Sequence, residues 1–320
     1  MRPVRTAFAG ALLGTLVLAG CGQTGANVAP SNSPADPPAT TAASTGDFPV
    51  TVEAGNGKVT LAKKPERIVS LSATHTETLF AVGAGPQVVA VDDQSNYPPQ
   101  APKSDLSGFK PNVEAIIAKK PDLVILSNDQ DKIVAELAKV NVPVLLEPAA
   151  TGLEEAYEEI GEIGAATGNK AKADEVVSGM KAAMAKLAAD APKDKKLTYY
   201  HELDQTPYAA TSKTFIGQVY GMFGLTNIAD QAPDAAGGYP KLSAEFVAQA
   251  DPALIFLADV KCCQQSKETL AKRPGWKNLS AVKNDQVIQL DDDLASRWGP
   301  RVVDLAQAIG AAVAKAGGAG

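Results

Sequence analysis

The sequence predicts an α/β protein made of two Rossmann-like lobes with mostly parallel sheets and a ligand cleft between them. One observation is a pattern that occurs twice, at residues 112–126 and 243–257. In each copy a Glu begins a short helix, a Pro follows seven residues later, and an apolar strand comes directly after the Pro. The second is that other apolar runs alternate with helical patterns along the chain, which is typical of parallel sheets. The third is a long helical pattern between the two copies, which predicts that one long rigid α-helix joins the lobes.

The first 21 residues have the features of an export signal. Arg2 and Arg5 precede an apolar run at residues 7–18, which is too short to span a bilayer as a permanent helix. The run ends in Leu-Ala-Gly-Cys21, and a Cys directly after small residues resembles the bacterial lipobox, in which the thiol is acylated. The alternative is a plain signal peptide with an incidental Cys. We expect an exported protein that its N-terminal lipid holds on the outer face of the cell membrane.

The remaining chain divides by composition. Residues 22–46 are almost entirely Gly, Ala, Ser, Thr and Pro, which cannot bury a core and predict a flexible tether. We expect an N-terminal lobe at 47–150, a linking helix at 151–190 and a C-terminal lobe at 191–320. A net charge of −6 without a basic run argues against a nucleic-acid partner, and a monomer is expected.

In the N-terminal lobe, Ala-Gly-Asn-Gly at 54–57 predicts a hairpin turn, and the apolar run at 67–71 predicts the first buried strand. The Ser and Thr residues ahead of Glu77 predict a capping box. Further strands are expected at 88–91, 122–127 and 143–147, and helices at 112–119 and 129–139.

Residues 152–189 carry apolar side chains at helical spacing, with a possible interruption only near Thr167-Gly168-Asn169. A helix of this length would act as a stiff strut between the lobes. In the C-terminal lobe we expect strands at 196–201, 253–258 and 286–290. The main helices are expected at 213–223, 242–249 and 300–315.

In open α/β sheets, ligands bind at the loops that follow the carboxyl ends of the strands. Polar and aromatic residues in or beside those loops are therefore the candidate ligand-binding residues. They are His75, Gln94, Tyr97, Phe109, His201, Tyr208, Tyr239, Asp293, Arg297 and Trp298. A cleft with several aromatic groups and little net charge suits a sizeable, partly apolar small molecule.

Enzyme motifs are missing, since the chain has no G-x-S-x-G, no P-loop and no G-x-G-x-x-G after a strand. We therefore expect a binding protein that is not an enzyme, with a hydrolase using His201 and Glu202 as the alternative. His75 and His201 fall at strand ends, which fits metal or haem ligation as well as a capping or orienting role. We expect no resident metal or cofactor.

Two other short motifs leave their chemistry open. Cys262 and Cys263 are adjacent, so they are either a vicinal disulfide or two free thiols, and without C-x-x-C spacing a structural zinc is not supported. The run of Asp at 291–293 is either a hard-cation site or solvated charge.

Six motifs together resemble one known family over residues 47–316. They are Arg-Ile-Val-Ser-Leu-Ser at 67–72, Thr-Glu-Thr-Leu-Phe-Ala-Val-Gly at 76–83, Tyr-Pro-Pro-Gln-Ala at 97–101, Pro-Asn-Val-Glu at 111–114, Lys-Pro-Asp-Leu-Val at 120–124 and Arg-Trp-Gly-Pro-Arg at 297–301. The family is the substrate-binding proteins of ABC importers for cobalamin, ferric siderophores and haem. The resemblance implies two lobes joined by one rigid helix, with modest closure on the ligand. It also implies a surface Glu on each lobe that meets Arg pockets on the permease dimer, and these positions match Glu114 and Glu245.

Within that family, residues 97–100 and the pair Asp293 and Arg297 are most similar to the cobalamin binders. The resemblance therefore implies a corrinoid, which brings its own cobalt, with an iron-carrying siderophore or haem as the alternative. Two positions depart from the cobalamin pattern. Phe109 stands where the family's cobalamin binder has a Trp that stacks on the corrin, and Gln94 replaces a Tyr.

Overall fold

The computed structural model describes residues 48–192, 196–233 and 236–317. The predicted signal peptide at 1–21, its Cys21 and the tether at 22–46 lie outside the described residues. Within the described part, no helix is both long enough and apolar enough to cross a membrane.

The N-terminal lobe contains a hairpin and a four-stranded parallel sheet. Its elements are β1 Val50–Ala54, β2 Gly57–Leu61, β3 Ile68–Leu71, α1 Ala73–Ala81, β4 Val88–Val91, α2 Val113–Ile117, β5 Leu123–Leu126, α3 Ile133–Lys139 and β6 Val144–Leu146. The strand order is β4-β3-β5-β6. Every residue of β3 and β5 is buried, because helices cover both faces of a parallel sheet.

The hairpin closes the edge of this sheet. Its turn residue Gly55 donates from its backbone N–H to the carbonyl of Leu146, at 2.7 Å. The Asn56 amide donates to the carbonyl of Val144 at 3.0 Å and accepts from the N–H of Leu146 at 3.2 Å. The turn thus satisfies backbone groups of β6 that an open edge strand would expose.

The connection between the lobes is a pair of helices, α4 Leu153–Ala166 and α5 Lys170–Asp190. The predicted interruption is real: Gly168 has a φ of 68°, and the chain reverses there. The helices run back along each other, since Lys181 on α5 pairs with Glu154 on α4 at 2.7 Å. The long linking helix is confirmed as α5, and α4 braces it.

The C-terminal lobe repeats the design with a second, mostly parallel sheet. Its elements are β7 Thr198–Asp204, β8 Tyr208–Ala209, α6 Phe215–Gly221, β9 Thr226–Asn227, α7 Ala244–Ala250, β10 Leu254–Leu257, α8 Val260–Cys263, α9 Lys267–Ala271, α10 Ser280–Lys283, β11 Val287–Gln289, α11 Asp292–Ser296 and α12 Val302–Gly317. The order is β11-β10-β7-β8, with β8 antiparallel to β7 and β9 parallel to it.

The sequence repeat has the same local structure in both lobes. Asn112 and Ser243 cap α2 and α7, each side chain accepting from a backbone N–H three residues on. Both helices are followed by a residue with positive φ before the Pro, Lys120 at 52° and Asp251 at 41°. The strands that follow, β5 and β10, are buried at every position.

One continuous apolar core joins the lobes. It includes Leu79 on α1, Ile163 on α4, Tyr220 on α6 and Leu305 on α12, all fully buried or nearly so. The opposite face of each sheet has a separate core of its own. Because α4 contributes to the shared core, the linking segment is part of the packed interior.

Because α4 and α5 pack closely, a Gly→Ala substitution should have opposite effects on stability at two positions of α4. A Cβ at Gly164 would overlap the Cβ of Ala173, whereas Gly161 on the same helix has open space around it. We expect Gly164→Ala to lower the free energy of unfolding by about 1–3 kcal/mol through overpacking. Gly161→Ala should raise it by about 0.5–1 kcal/mol, because Ala favours the helix. Urea denaturation measures both, and an equal gain in the two variants would contradict the packing described.

Candidate functional site

The carboxyl ends of β3, β4 and β5 face the C-terminal lobe across a cavity of about 330 Å³. The N-terminal wall consists of Leu71, Ser72, Ala73, Thr74, Asp92, Gln94, Gly108, Phe109, Ser127 and Asn128. The C-terminal wall consists of Asp293, Ser296, Arg297 and Trp298. The cavity lies where open α/β sheets bind their ligands.

Five of the predicted ligand-binding residues line this cavity: Gln94, Phe109, Asp293, Arg297 and Trp298. Phe109 is 69% exposed, which is unusual for a large apolar side chain and leaves a ring face open for contact. That these residues contact a ligand stays a prediction.

Two polar residues of the wall, Asp92 and Asn128, were not singled out from the sequence. Asp92 is the first residue after β4 and Asn128 the second after β5, so their position at a strand end was the available signal. Asp92 is buried, and burial raises the pKa of its carboxyl, while the Ser95 hydroxyl that bonds to it acts in the opposite direction. Asn128 and Asp92 give the wall an amide and a carboxyl group that a ligand's polar rim could meet.

The predicted tyrosines lie outside the cavity. The ring of Tyr97 packs under the guanidinium of Arg301, with 4.1 Å between the guanidinium carbon and the ring centroid. Tyr208 and Tyr239 are exposed, and the ammonium of Lys241 lies 5.7 Å from the ring centroid of Tyr208. The structure does not bring these three residues to the cavity wall.

His75 lies behind the cavity wall, on α1. Its side chain is fully buried and meets the indole of Trp298 edge-on, with 5.9 Å between ring centroids. The Nε2 atom is 3.7 Å from a carboxylate oxygen of Glu159 on α4. The imidazole therefore packs between the linking segment and a wall residue and does not reach the cavity.

His201 is buried on β7, and a ring nitrogen lies 2.8 Å from the hydroxyl of Tyr220. Burial lowers the pKa of this imidazole to about 4, so it is neutral at pH 7. Glu202 points to the opposite face of the strand, where Arg273 holds it through two bonds of 2.6 Å. His201 and Glu202, the pair that a hydrolase would use, therefore lie on opposite faces of the strand and do not meet.

A buried carboxylate, Glu77 on α1, joins the two lobes beside the cavity. It accepts from Arg297 at 2.5 Å and from Arg301 at 2.7 and 2.6 Å. The predicted capping box does not form, since Ser72 is the N-cap without a side-chain bond and Glu77 lies within the helix. We call Glu77, Arg297 and Arg301 the Glu77 cluster.

The two terminal nitrogens of Arg297 make three further bonds to protein. They bond to Asp293 at 2.7 Å, to the carbonyl of Gln94 at 3.1 Å and to the side-chain oxygen of Asn96 at 3.1 Å. The Asn96 amide donates to Asp293 at 2.9 Å. These bonds fix the side of the cavity where the lobes meet.

The run of Asp at 291–293 begins α11 and is bonded to protein. Asp291 caps the helix by accepting from the N–H of Asp293 at 2.9 Å, and Asp292 accepts from the backbone of Lys261 at 3.0 Å. Burial opposes ionisation of Asp293, but bonds from Lys261 and Asn96 prevail and lower its pKa. Across the described residues, no group of three His, Cys, Asp or Glu side chains is arranged to hold a metal ion. Nearby, Cys262 and the adjacent Cys263 are free thiols.

The two predicted docking residues occupy equivalent places. Glu114 is exposed in the first turn of α2, and Glu245 is exposed in the first turn of α7. Each lies on a different lobe. Their contact with a permease stays a prediction.

Known proteins are similar to this one in sequence and in architecture. The sequence profile of the periplasmic binding protein family matches residues 68–294. The ABC transporter substrate-binding lipoprotein YvrC of Bacillus subtilis is 33% identical over 312 residues, 93% of each chain. A cobalamin-binding protein of Halobacterium salinarum is 30% identical over 268 residues, 80% of this chain and 72% of that protein. A solved structure from Staphylococcus epidermidis, described as a possible iron-binding (periplasmic solute-binding) protein, has a TM-score of 0.66 and 28% identity, covering 77% of this chain and 99% of the other.

The two lobes, the cavity between them and these relatives define a substrate-binding protein of ABC importers, which takes up a small ligand and works with a membrane permease. The chain belongs to the periplasmic binding protein family. The resemblance and the fold class predicted from the sequence are both confirmed.

The Glu77 cluster yields a prediction for stability. Glu77→Gln keeps the shape of the side chain but leaves two part-buried guanidinium groups without their carboxylate. We expect the free energy of unfolding to fall by about 3–5 kcal/mol in urea titrations. Glu136→Gln is the matched control, because its partner Lys139 is well exposed and such pairs contribute about 0–1 kcal/mol. Similar small losses in both variants would mean that the cluster does not hold the lobes.

Proposed function

We propose that this protein is exported, anchored by a lipid on Cys21 and dedicated to delivering a corrinoid to an ABC importer. It binds the ligand without transforming it, and it has no cofactor of its own, because the metal arrives with the ligand. The proposal rests on the chemistry of the cavity wall combined with the cobalamin-binding relative at 30% identity.

The wall suits a ligand with an apolar ring system and a rim of amides. Phe109 and Trp298 present aromatic surface, and stacked aromatic contacts stabilise by about 0.5–1.5 kcal/mol beyond the burial of area. Asp92, Gln94 and Asn128 offer acceptors and donors that match the carboxamide groups of a corrin rim. A corrinoid is larger than the cavity, so part of it would remain outside.

Haem and anionic siderophores fit the described wall less well. Haem binding generally uses an axial protein ligand, but His75 and His201 are 0% and 1% exposed and do not reach the cavity. An anionic chelate favours free cationic donors. Of the described residues that line the cavity, only Arg297 is cationic, and both of its terminal nitrogens already bond to protein groups.

Iron uptake is the second candidate, and two observations favour it. The relative from Staphylococcus epidermidis is described as possibly iron-binding. The exposed phenols of Tyr208 and Tyr239 are groups that could approach iron from outside the cavity.

Ligand titration tests the proposal through tryptophan fluorescence. Trp298 lines the cavity, so its fluorescence should report on a ligand bound there. We expect cyanocobalamin to quench the wild type in a saturable titration. Phe109→Ala should bind about tenfold or more weakly, because it loses a stacking face.

Haemin and a panel of ferric siderophores are titrated in parallel. A Soret shift with haemin, or quenching by a siderophore, together with no response to the corrinoid would replace our choice of ligand. Phe109→Leu and Phe109→Ile are the controls for lost apolar area, since each keeps an apolar side chain at this position without the aromatic ring.

We further propose that Glu114 and Glu245 bind Arg side chains on a dimeric permease. Charge-assisted bonds of this kind fix orientation and raise association rates more than they add affinity. The alternative role, favourable placement at a helix N-terminus, contributes about 0.3–1 kcal/mol for each carboxylate.

The double substitution Glu114→Ala with Glu245→Ala separates these roles. We expect transport through the importer to be lost, while ligand affinity stays near wild type and the free energy of unfolding drops by at most about 2 kcal/mol. Glu136→Ala, another exposed carboxylate of the N-terminal lobe, should leave transport unchanged. Uptake that survives the double change, or ligand binding that collapses with it, would exclude the docking role.

A further inference from the structure

A second cavity, of about 240 Å³, lies beside the linking helix α4. The turn of the β1–β2 hairpin, the segment after β6 and one face of α4 enclose it. Six carboxylates line it: Glu53, Glu147, Glu155, Glu158, Glu159 and Glu162. We call it the acidic cavity.

Glu147 is the most informative member. It is 2% exposed, and within the described part of the chain its Oε1 atom has no hydrogen-bond partner. Burial raises the pKa of its carboxyl to about 9, with the charges of Glu162 and Glu159 adding to the effect. Burial and the neighbouring glutamates also raise the pKa of Glu162, to about 7. A buried, unpartnered carboxyl on the wall of a cavity is costly unless a donor or cation meets it.

The protein supplies no such cation from the wall. None of the described residues that line the acidic cavity is basic. Lys58 lies 3.3 Å from Glu53 but is exposed, and Lys181 bonds to Glu154, which is not a wall residue. Glu155 is held by the backbone and hydroxyl of Thr151 at 2.6 and 2.7 Å.

The spread of the carboxylates excludes a single metal ion as the best ligand. Oxygen ligands of Ca²⁺ lie about 2.3–2.6 Å from the ion, so they must crowd around one point. Glu155 and Glu162 are instead two helical turns apart on α4, about 10 Å along its axis. No three acidic side chains among the described residues are arranged around a common metal position.

We infer that the acidic cavity binds an aliphatic polyamine. The ammonium groups of such a chain are spaced by methylenes, so they can pair with carboxylates along α4 while the methylenes lie against Ala54 and Pro148. The site is distinct from the ligand cavity, yet one residue joins them. Glu159 lines the acidic cavity and accepts from the indole N–H of Trp298 at 2.8 Å.

Isothermal titration with spermidine tests this inference on the whole protein. At pH 7.5 and fixed ionic strength we expect binding that releases a proton from Glu147, so that the measured heat varies with the ionisation enthalpy of the buffer. Glu147→Gln should reduce this proton release to the smaller share that comes from Glu162, and weaken binding by about tenfold or more. Glu154→Gln is the matched control on the same helix, and its affinity should stay within about twofold of wild type.

Every other outcome would contradict polyamine binding in the acidic cavity. Equal weakening by Glu147→Gln and Glu154→Gln would mean non-specific attraction to an acidic surface. Tighter binding of Ca²⁺ or Mg²⁺ than of spermidine would mean a metal site instead. No binding at all overturns the inference. Should Glu147→Gln fail to fold, Glu162→Gln replaces it, with the same expected loss. None of these results depends on the identity of the ligand in the larger cavity.

Discussion

The relative placement of the lobes depends on the buried carboxylate of Glu77. Arg297 and Arg301 reach it from the C-terminal lobe, so one carboxylate on α1 accepts three charge-assisted hydrogen bonds. Burying such groups costs several kcal/mol each, and the cluster therefore favours one geometry over others more than it adds net stability. Because Arg297 also holds Asp293 and the Gln94 backbone, the same cluster fixes the edge of the ligand cavity.

Packing reinforces that geometry from two directions. The shared apolar core runs through α1, α4, α6 and α12, so a large separation of the lobes would expose buried area at about 25 cal/mol per Å². Gly299 passes the side chain of Thr74 with so little room that an added Cβ would lie 3.3 Å from it. The linking helix alone therefore does not set the stiffness of the molecule. It is one part of a continuous interior.

The structural features that could be predicted from the sequence are those that residues close together in the chain determine. The buried strands, the two capped helices of the repeat and the break at Gly168 all follow from local patterns. The strands β8 and β9 are two residues long, too short to leave a pattern. The reversal after Gly168 also had no local signal, since a single helix and a helical hairpin share the same periodicity until their packing partners are known.

The roles of individual polar residues were harder to predict because their partners are distant in sequence. Glu77 resembles a capping residue until Arg297, 220 positions away, is placed beside it. His75 and His201 were predicted at strand ends, as cleft residues are. In the structure His75 lies within α1 and packs against Trp298, and His201 lies inside β7 and bonds to Tyr220. The position of Gln94 and Phe109 at the cavity wall could be predicted, because the carboxyl ends of parallel strands meet at one edge.

The hydrogen bond between Trp298 and Glu159 joins the walls of two cavities that differ in chemistry. On one side lies a cavity with aromatic and amide groups, and on the other a cavity of glutamates, two of which, Glu147 and Glu162, have pKa values raised first by burial and then by neighbouring carboxylates. Glu159 accepts from the Trp298 indole and lies 3.7 Å from the His75 imidazole, while it also lines the acidic cavity. The hydrogen bond between Glu159 and Trp298 is therefore a direct contact between the walls of the two cavities.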